Sequence, residues 1–373
     1  MSTEASPLTE AGRQALVVED EAQLVDVLAD IAARRAFALP VGYASRVDFG
    51  APLSTATELV SLRKLSGLSR FAPRDLTCGV RVGTPWSELL RSVEDCGLTI
   101  EAGPFAKATT RSVGGVFAEA APSPRGHDRA SLRSQIIGLR AVDGRRRAFT
   151  AGGQVVKNVA GYDLCKLFVG SGGAYFAAIE VQLRLVALPS AVASLRSEAM
   201  PRNEAAQLWL RTRREVVDAR SCDLVLEGDG SAAVAFTVAG PNKLVAACTR
   251  RDGFRLDLEG MEAWHAAPPS VDDAKLVVRG RMRPSCIDAW LAWLPRASRG
   301  RVHARGAFQV GIDSGVPAEL DEACGFARTL RGPRGQLTRD ADTRIEERLK
   351  QAFGACFAPG RLSFDTASNA RGA

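Results

Sequence analysis

Histidine is scarce in this chain: three residues, His127, His265 and His303, stand far apart among 373. No two of them form an i,i+4 or an HxH pair, so the sequence gives no support for a metal site built from histidine. Eight cysteines are present, and the two nearest in sequence are Cys78 and Cys96. That spacing excludes CxxC zinc knuckles and the clustered cysteines of ferredoxin-type iron–sulfur sites. We therefore predict no bound metal, and reduced, mostly buried cysteines in a cytosolic protein.

The common nucleotide-binding and hydrolase motifs are also missing. A Rossmann site needs GxGxxG directly after a strand, with an acidic residue about 20 residues further on, and no glycine cluster here has that spacing. Neither a GxxxxGK[ST] phosphate loop nor a GxSxG serine-hydrolase motif occurs. These absences argue against a Rossmann dehydrogenase, a P-loop NTPase and a serine hydrolase.

Aromatic residues make up only 6% of the chain, and the arginines behind its formal net charge of +7 are spread along it. A nucleic-acid footprint needs a concentrated basic stripe with stacking aromatics, so we predict no nucleic-acid partner. No run approaches the roughly 20 apolar residues of a membrane span, and the N-terminus has no apolar signal-peptide core. We expect a soluble, cytoplasmic protein with no membrane span.

The length of the chain favours two domains, because single hydrophobic cores stop growing at about 250–300 residues. Near the N-terminus the pattern predicts a helix over 19–35, capped by Asp20, and then a short strand over 37–39 that stops at Pro40. The loop 40–46 follows, and in this layout backbone N–H groups can face an anion. Because the loop has one glycine, an ordinary turn is the alternative interpretation.

A second candidate segment begins at Gly103-Pro104 and runs to Ala118. Small residues stand where a short helix through Ala118 should begin: Thr110, Ser112, Gly114 and Gly115. Free N–H groups and the positive end of the dipole at such a start favour a phosphate. The alternative is a helix–helix contact through small residues. Two anion sites on one domain would suit a dinucleotide with a pyrophosphate.

The densest glycine usage lies in the stretch 152–180, GGQVVKNVAGYDLCKLFVGSGGAYFAAIE. Its polar residues stand inside an otherwise apolar segment: Gln154, Lys157, Asn158, Tyr162 and Asp163. Buried polar groups cost free energy unless they are paired, and glycine allows backbone to approach a ligand closely. A glycine-rich connection between strands is the alternative interpretation.

Strand and helix patterns alternate after a linker-like stretch at 190–200 and predict an α+β sheet covered by helices. They include a strand over 275–283 that carries alternate arginines and a helix over 317–330. A charged amphipathic helix is predicted over 342–353.

The segment VVKNVAGYDLCKLFVGS, preceded by GGQ and followed by Glu180, closely resembles the FAD-binding subunits of glycolate oxidases. Those subunits belong to the vanillyl-alcohol oxidase and p-cresol methylhydroxylase (PCMH) flavoprotein family. In that family a Pro-x-Gly-Gly-Gly-[Thr/Ser] loop cradles the FAD pyrophosphate. A [Thr/Ser]-x-Gly-Gly element and a Gly-Ser-x-Gly-Thr-Leu-Gly-x-x-x-Glu element complete the pattern. Here the three elements map onto 40–46, 112–115 and 170–180, and the tail LKQAFGACFAPGRL resembles the family's C-terminal end.

The resemblance implies an α+β chain in three parts. A PCMH-type FAD-binding domain would cover residues 10–190, a second α+β domain on the substrate side 200–340, and a C-terminal helix and tail 341–373 would return to the first domain. The implied cofactor is FAD, and the matching positions name the residues that would bind it. They are Pro40, Val41, Gly42, Tyr43, Ala44, Ser45, Arg46, Gly103, Pro104, Thr110, Ser112, Val113, Gly114, Gly115, Ala118, Lys157, Asn158, Gly161, Tyr162, Gly170, Gly173 and Ile179.

The sequence departs from the family pattern at two places. Tyr43 and Ala44 stand where the family has glycines, and Ala174-Tyr175-Phe176 replaces Thr-Leu-Gly. A phenyl ring at 176 should fill space that a flavin ring or ribose would use. Members with covalent flavin carry a histidine in the first loop, where Ser45 lies here, so the resemblance implies noncovalent FAD.

The implied function is that of the FAD-binding subunit of a glycolate (2-hydroxy acid) dehydrogenase or oxidase complex. The flavin would accept a hydride from the 2-hydroxy acid and pass electrons to a partner, and the implied partners are a catalytic flavoprotein subunit and an iron–sulfur subunit. Candidate groups for substrate chemistry are His265 as a base and Arg279, Arg281 and Arg283 as cations, although alternate strand residues also suit a solvated face. The alternative function is an accessory or scaffolding subunit with weak or no flavin binding and no turnover of its own.

Overall fold

The computed structural model describes residues 14–47, 53–100, 111–120, 132–153, 164–216, 219–264, 271, 273–315, 325–331, 343–354 and 356–358. These residues divide into two units. The first draws on Met1–Ala121, Ser131–Leu188 and Asp340–Ala373, and the described residues of the second lie within Pro189–Arg339. In this described part of the chain, every helix is too short or too polar to cross a membrane.

The first unit contains ten strands and five helices before its C-terminal segment, as far as it is described. In chain order they are β1 (Ala15–Val17), α1 (Glu21–Ala33), β2 (Phe37–Val41), β3 (Thr57–Ser61), β4 (Leu68–Ala72), β5 (Thr77–Arg81), α2 (Trp86–Glu94), β6 (Leu98–Thr99), α3 (Val113–Glu119), α4 (Leu132–Gln135), β7 (Ile136–Asp143), β8 (Ala148–Gly152), α5 (Leu164–Phe168), β9 (Phe176–Arg184) and β10 (Val186–Ala187). A parallel sheet of order β1-β3-β2 and an antiparallel sheet of order β4-β5-β9-β7-β8 share the unit with β6 and β10, which pair with each other.

Helix α1 forms as its sequence predicts. The Asp20 side chain accepts a hydrogen bond from the Gln23 N–H at 2.8 Å and so satisfies one of the free donors at the helix start. Leu24, Leu28 and Ile31 recur at helical spacing and are fully buried. The capping residue and the apolar stripe therefore act together to seat α1 on the core.

Strand β2 is longer than predicted, because it continues through Pro40 to Val41. Pro40 pairs in register with Val60 of β3. Since β2 is the edge strand of its sheet, the missing proline N–H removes no ladder hydrogen bond on the inner side. The extra residues carry the chain further along the sheet before the loop 42–46 begins.

The second unit is built on one antiparallel sheet with four described helices. Its elements are β11 (Ala191–Arg196), β12 (Met200–Pro201), α6 (Arg202–Glu215), β13 (Ala219–Glu227), β14 (Ser231–Gly240), α7 (Asn242–Cys248), β15 (Arg255–Glu259), α8 (Gly260–Trp264), β16 (Leu276–Met282), α9 (Ile287–Trp293), β17 (Arg299–His303), β18 (Ala307–Ile312) and β19 (Gly325–Arg331). The strand order is β15-β11-β14-β13-β17-β18-β16-β19, with β12 beside β14. Trp209 of α6 and Trp290 of α9 are fully buried in the core of this unit with Leu224, Val302 and Val310.

The helix predicted over 317–330 is wrong in its second half. Residues Gly325–Arg331 form the strand β19, which pairs with β16 in antiparallel register from Val277 to Met282. Residues 316–324 lie outside the described part. A free strand edge offers a row of backbone partners, and such tertiary pairing outweighs the modest local preference for helix.

The C-terminal segment returns to the first unit. Helix α10 (Thr343–Phe353) ends at Phe353. The centroid of its ring lies 5.4 Å from the ring centroid of Phe176 and 6.0 Å from that of Phe149. The Gly144 N–H donates to the Phe353 carbonyl at 2.6 Å. Phe357 then bridges to Ala38 of β2 as a short parallel pair. The predicted return of the tail to the FAD-binding part of the chain is confirmed.

We expect Phe353→Ala to lower the free energy of unfolding by about 2 kcal/mol, because a half-buried ring leaves a cavity among other rings. Leu68→Ala is the control, since Leu68 is 39% exposed and should change stability by less than about 0.5 kcal/mol. Urea unfolding followed by circular dichroism measures both. Equal midpoints for the two variants would contradict a docking role for Phe353.

Candidate functional site

A cleft in the first unit brings together three segments that are far apart in sequence. They are the loop after β2, the start and end of α3, and the loop that leads into β9. The accessible volume of the cleft is about 130 Å³. A single water molecule needs roughly 10–15 Å³, so the cleft has room for a much larger ligand. Its lining consists of Leu39, Pro40, Val41, Gly42, Tyr43, Ala44, Ser45, Arg46, Val47, Leu62, Val82, Arg111, Ser112, Gly114, Gly115, Ala118, Glu119, Phe168, Gly172, Gly173, Phe176 and Ala178.

The first loop lines this cleft and carries backbone donors that have no acceptor among the described residues. No residue in the described part of the chain accepts a hydrogen bond from the N–H groups of Gly42, Tyr43, Ala44 or Ser45. Ala44 has φ +57°, the left-handed conformation that often turns successive N–H groups toward one point. Arg46 lines the same cleft. The loop can therefore cradle an anion.

Gly42 lets the first loop touch the start of α3. A Cβ at this position would lie 2.0 Å from Ser112 Oγ and 2.6 Å from Ser112 Cβ, distances that real Cβ atoms do not reach. The Gly42 carbonyl accepts a hydrogen bond from Ser61 Oγ at 3.0 Å, which anchors the loop on β3. Any side chain at 42 would push the loop away from α3.

The start of α3 differs from the expectation of free N–H groups. The Val113 and Gly114 N–H groups donate to the carbonyls of Thr84 and Val82, at 2.9 and 2.8 Å. The Gly115 N–H donates to the side chain of the N-cap Ser112 at 3.1 Å. A Cβ on Gly114 would lie 2.9 Å from Val82 Cβ, so this glycine allows close helix–strand packing. These three N–H groups are therefore used in helix capping and packing. The N–H groups without acceptors among the described residues lie in the first loop.

The third segment is held by the end of α3. The Gly170 and Gly172 N–H groups donate to the carbonyls of Phe117 and Ala118, at 3.0 and 2.9 Å. Gly173 has φ +79°, and a Cβ there would lie 3.3 Å from Pro40 Cδ. Helix α3 thus joins the first loop at its start to the third segment at its end.

A buried ion pair lines the cleft beside the glycines. Arg111 Nη1 lies 3.1 Å from Glu119 Oε2, and both side chains are about nine-tenths buried. Arg111 precedes α3 and Glu119 is its last residue, so their pairing holds the Arg111 guanidinium at the cleft wall. A planar guanidinium so placed can donate to a phosphate.

Two of the departures from the family pattern take defined positions in the structure. The Tyr43 hydroxyl donates to the Gly83 carbonyl at 3.1 Å, and partial burial raises the pKa of this phenol. The Phe176 ring packs against Phe149 and Phe168 as well as Phe353, with 1% of the residue exposed. Phe176 therefore belongs to the hydrophobic core and also lines the cleft. That its ring occupies space needed by the cofactor stays a prediction.

Most of the described residues proposed to bind the cofactor line this one cleft. Three do not: Val113 and Ile179 are core residues, and Gly170 is absent from the lining, with Ala120 Cβ 3.4 Å from where its own Cβ would lie. Eight predicted site residues lie outside the described part: Gly103, Pro104, Thr110, Lys157, Asn158, Gly161, Tyr162 and His265. The sequence interpretation missed the Arg111–Glu119 pair, which joins a residue before α3 to the last residue of that helix.

The three candidate arginines belong to the second unit. The Arg279 guanidinium is buried and donates to Gln309 Oε1 from Nε at 3.1 Å and Nη2 at 2.8 Å. Arg281 and Arg283 are exposed, which fits the alternative of a solvated face for these two. The sequence interpretation also missed a buried contact between Asp223 and His303, since their pairing depends on strand register.

Comparison with known protein families identifies the kind of domain that contains the cleft. Residues 13–163 match a family model described as an FAD binding domain. The first unit contains a PCMH-type FAD-binding domain. The free N–H groups at 42–45 and the guanidinium of Arg111 suit the pyrophosphate of FAD.

Several curated proteins resemble the FAD-binding domain. Glycolate oxidase subunit GlcE of Escherichia coli is 32% identical over 157 residues, which are 42% of this chain and 44% of that protein. Glycolate oxidase subunit GlcD of Bacillus subtilis is 32% identical over 141 residues, 38% of this chain and 30% of that protein. D-2-hydroxyglutarate dehydrogenase of Xanthomonas citri pv. viticola is 28% identical over 151 residues, 40% of this chain and 32% of that protein. The chain thus matches less than half the length of each of these relatives.

Among solved structures, an alkyldihydroxyacetonephosphate synthase is similar to this protein over 94% of this chain and 75% of the synthase chain. The TM-score is 0.59 and the sequence identity is 11%. The match supports the fold, including the FAD-binding domain and the second α+β unit, and says nothing about the reaction.

We expect Gly42→Ala to weaken FAD binding at least tenfold, because the added methyl would separate the first loop from Ser112. Ser112→Gly alone should have a small effect, since glycine replaces an N-cap serine at a cost of only a few tenths of a kcal/mol. The double variant Gly42→Ala/Ser112→Gly removes both clashing atoms and should recover most of the affinity. Titration of flavin fluorescence measures this, and a double variant no better than Gly42→Ala would refute the steric explanation.

Ala44→Gly should stabilise the chain by about 0.5–1 kcal/mol. A left-handed conformation costs a non-glycine residue about 1–2 kcal/mol, and the extra freedom of glycine in the unfolded chain offsets part of the gain. The matched control is Ala32→Gly, an exposed position in α1, which should destabilise by about 1 kcal/mol. Urea unfolding measures whether each exchange raises or lowers the free energy of unfolding. If both exchanges lower it, Ala44 is not strained.

Proposed function

We propose that this chain is an FAD-dependent oxidoreductase acting on the CH–OH group of a 2-hydroxy acid such as glycolate. The observation that carries the proposal is the loop 42–45, which lines the cleft of an FAD-binding domain and whose N–H groups have no acceptors among the described residues. The names of the relatives, two glycolate oxidase subunits and a D-2-hydroxyglutarate dehydrogenase, support the class of substrate.

The chain's own groups would hold FAD without a covalent bond. The first loop and Arg111 would bind the pyrophosphate, and Glu119 would keep the Arg111 guanidinium at the cleft wall. No histidine occurs in the loop 40–46, so the covalent attachment seen in some relatives of this fold has no counterpart there. When bound, FAD supplies the acceptor for the hydride of the alcohol carbon.

We also propose that the chain works as one subunit of a glycolate oxidase-like complex in the cytoplasm. Electrons accepted at FAD need an exit, and no group of metal-binding side chains occurs among the described residues. A catalytic flavoprotein subunit and an iron–sulfur subunit are the proposed partners, in keeping with relatives that are themselves named as subunits.

A second candidate function is an accessory subunit that binds flavin weakly and does not turn over substrate. The observation that favours it is the side chain of Tyr43, which stands where the family has a glycine and is tied to the Gly83 carbonyl at the cleft. A bulky residue at this position leaves less space for a phosphate to reach the backbone of the loop.

The visible spectrum of the purified chain distinguishes the two functions. We expect flavin absorbance that disappears on anaerobic addition of glycolate and returns with an electron acceptor, because substrate oxidation reduces the flavin. Acid precipitation should release the flavin into the supernatant, as noncovalent binding requires. A colourless chain that stays colourless with excess FAD, yet co-purifies with a flavoprotein partner, would favour the accessory function.

The Gly42→Ala variant is the matched control for this spectrum. It should lose flavin and glycolate-dependent bleaching together, since the added methyl separates the first loop from Ser112 at the cleft. Bleaching that survives in a variant with little bound FAD would place the reaction on a flavin held elsewhere, and would refute the proposed site.

A further inference from the structure

The C-terminal segment contacts two of the three segments that form the cofactor cleft. Its last described part, which we call the strap, consists of Phe353, Gly354 and residues 356–358, all within the first unit. Residues 356–358 are buried, and at most 6% of any of them is exposed. Chain ends are usually loosely ordered unless they are tied down, so the burial of this tail implies specific contacts.

The strap pairs with the outer edge of β2. The Ala38 N–H donates to the Cys356 carbonyl, and the Ala358 N–H donates to the Ala38 carbonyl, both at 2.8 Å. These two hydrogen bonds form a parallel bridge between Ala38 and Phe357. The other edge of β2 pairs with β3. Because β2 leads directly into the first loop, β3 and the strap together fix the strand from which that loop starts.

Ala358 belongs to a small apolar cluster that includes residues of the cleft. Leu39 and Val47 are buried members of this cluster, and Ala44 packs against it. All three of these residues line the cleft. The left-handed conformation of Ala44 is costly for a residue with a side chain, so contacts that hold it contribute to the shape of the loop. Withdrawal of the strap would remove part of this support.

The strap reaches a second part of the cleft through Phe353. The centroid of the Phe353 ring lies 5.4 Å from that of Phe176, which lines the cleft. The turn between β7 and β8 holds this end of α10. The Gly144 N–H donates to the Phe353 carbonyl at 2.6 Å, and Arg145 Nη2 donates to the Gln351 carbonyl at 2.7 Å. One short segment thus contacts both the wall at Phe176 and the strand that carries the first loop.

Gly354 directs the chain from α10 toward β2. Its φ is +87°, the left-handed conformation that glycine commonly adopts just after a helix. A Cβ at this position would lie 2.8 Å from the carbonyl carbon of Gly144 and 2.9 Å from the Arg145 nitrogen. The path of the strap therefore depends on a glycine that is not part of the cleft lining.

We propose that the strap is a positioning element for FAD, which holds the first loop and the wall at Phe176 in the arrangement that binds the cofactor. The inference rests on the proposed function in assigning FAD to this cleft. Such coupling is reciprocal: whatever the docked strap adds to FAD affinity, bound FAD adds to the docking of the strap. A tail that only covered apolar surface would dock equally well with and without FAD.

Hydrogen exchange on the full chain tests this reciprocity without any substitution. FAD should slow exchange of the Ala358 and Ala38 N–H groups at least about fivefold, the lower end of typical coupling between sites. The control is the Leu188 N–H, which donates to the Gly97 carbonyl in the same unit. It should be slowed much less, because local openings away from the cleft do not depend on FAD. Equal slowing at Ala358 and Leu188, or no slowing at Ala358, would overturn the proposal.

A pair of glycine variants tests the same coupling from the other side. Gly354→Ala should raise the dissociation constant for FAD at least about fivefold, because the added methyl displaces the strap from the β7–β8 turn. Gly97→Ala is the matched control, since Gly97 has φ +72° and nothing lies within 4 Å of an added Cβ. It introduces similar backbone strain in the same unit and should leave FAD affinity unchanged.

Titration of flavin fluorescence measures both variants. Equal effects of the two substitutions on FAD affinity would contradict a positioning role for the strap. If Gly354→Ala fails to fold, the exchange measurement on the unsubstituted chain decides the question.

The outcomes separate this inference from the proposed function. Glycolate-dependent bleaching together with equal slowing at Ala358 and Leu188 would sink this inference alone. FAD-dependent protection of Ala358 without bleaching by glycolate would sink the proposed oxidation of a 2-hydroxy acid alone. A chain that bound no FAD would overturn both.

Discussion

The contact between Gly42 and Ser112 governs the geometry of the cofactor cleft. Only a residue without Cβ lets these two segments approach, because the nearest Ser112 atom would lie 2.0 Å from that carbon. Ser112 also caps α3, and the far end of α3 holds the segment at Gly170–Gly173 through its carbonyls. One helix of seven residues therefore positions the other two segments, and the free N–H groups of the first loop share a cleft with them.

The glycine-containing segments of the cleft have different physical roles. Gly42 allows contact with a neighbouring side chain, Gly114 allows a helix to pack on Val82, and Gly173 allows a left-handed turn beside Pro40. Only the first loop keeps its N–H groups free of acceptors in the described part of the chain. A glycine pattern that looks uniform in sequence thus separates into one loop with free N–H groups and two segments in which glycine serves packing or a turn.

The second unit combines an ordinary apolar core with an unusual polar face. One face of its sheet packs against Trp209 and Trp290, as alternating strands require. On the other face, His303 and Arg301 both lie within hydrogen-bond distance of Asp223, although burial of such groups opposes folding.

The sequence by itself determined the elements whose signals are local: the Asp20 cap and apolar stripe of α1, the start of a short helix among small residues that include Ser112, and the family signature of an FAD-binding domain. It could not decide that Pro40 continues β2 or that Gly325–Arg331 is a strand, because each depends on a neighbouring strand edge. Nor could it place Glu119 beside Arg111, or His303 beside Asp223 from 80 residues away. Such contacts come from strand register and helix packing, which only the folded chain establishes.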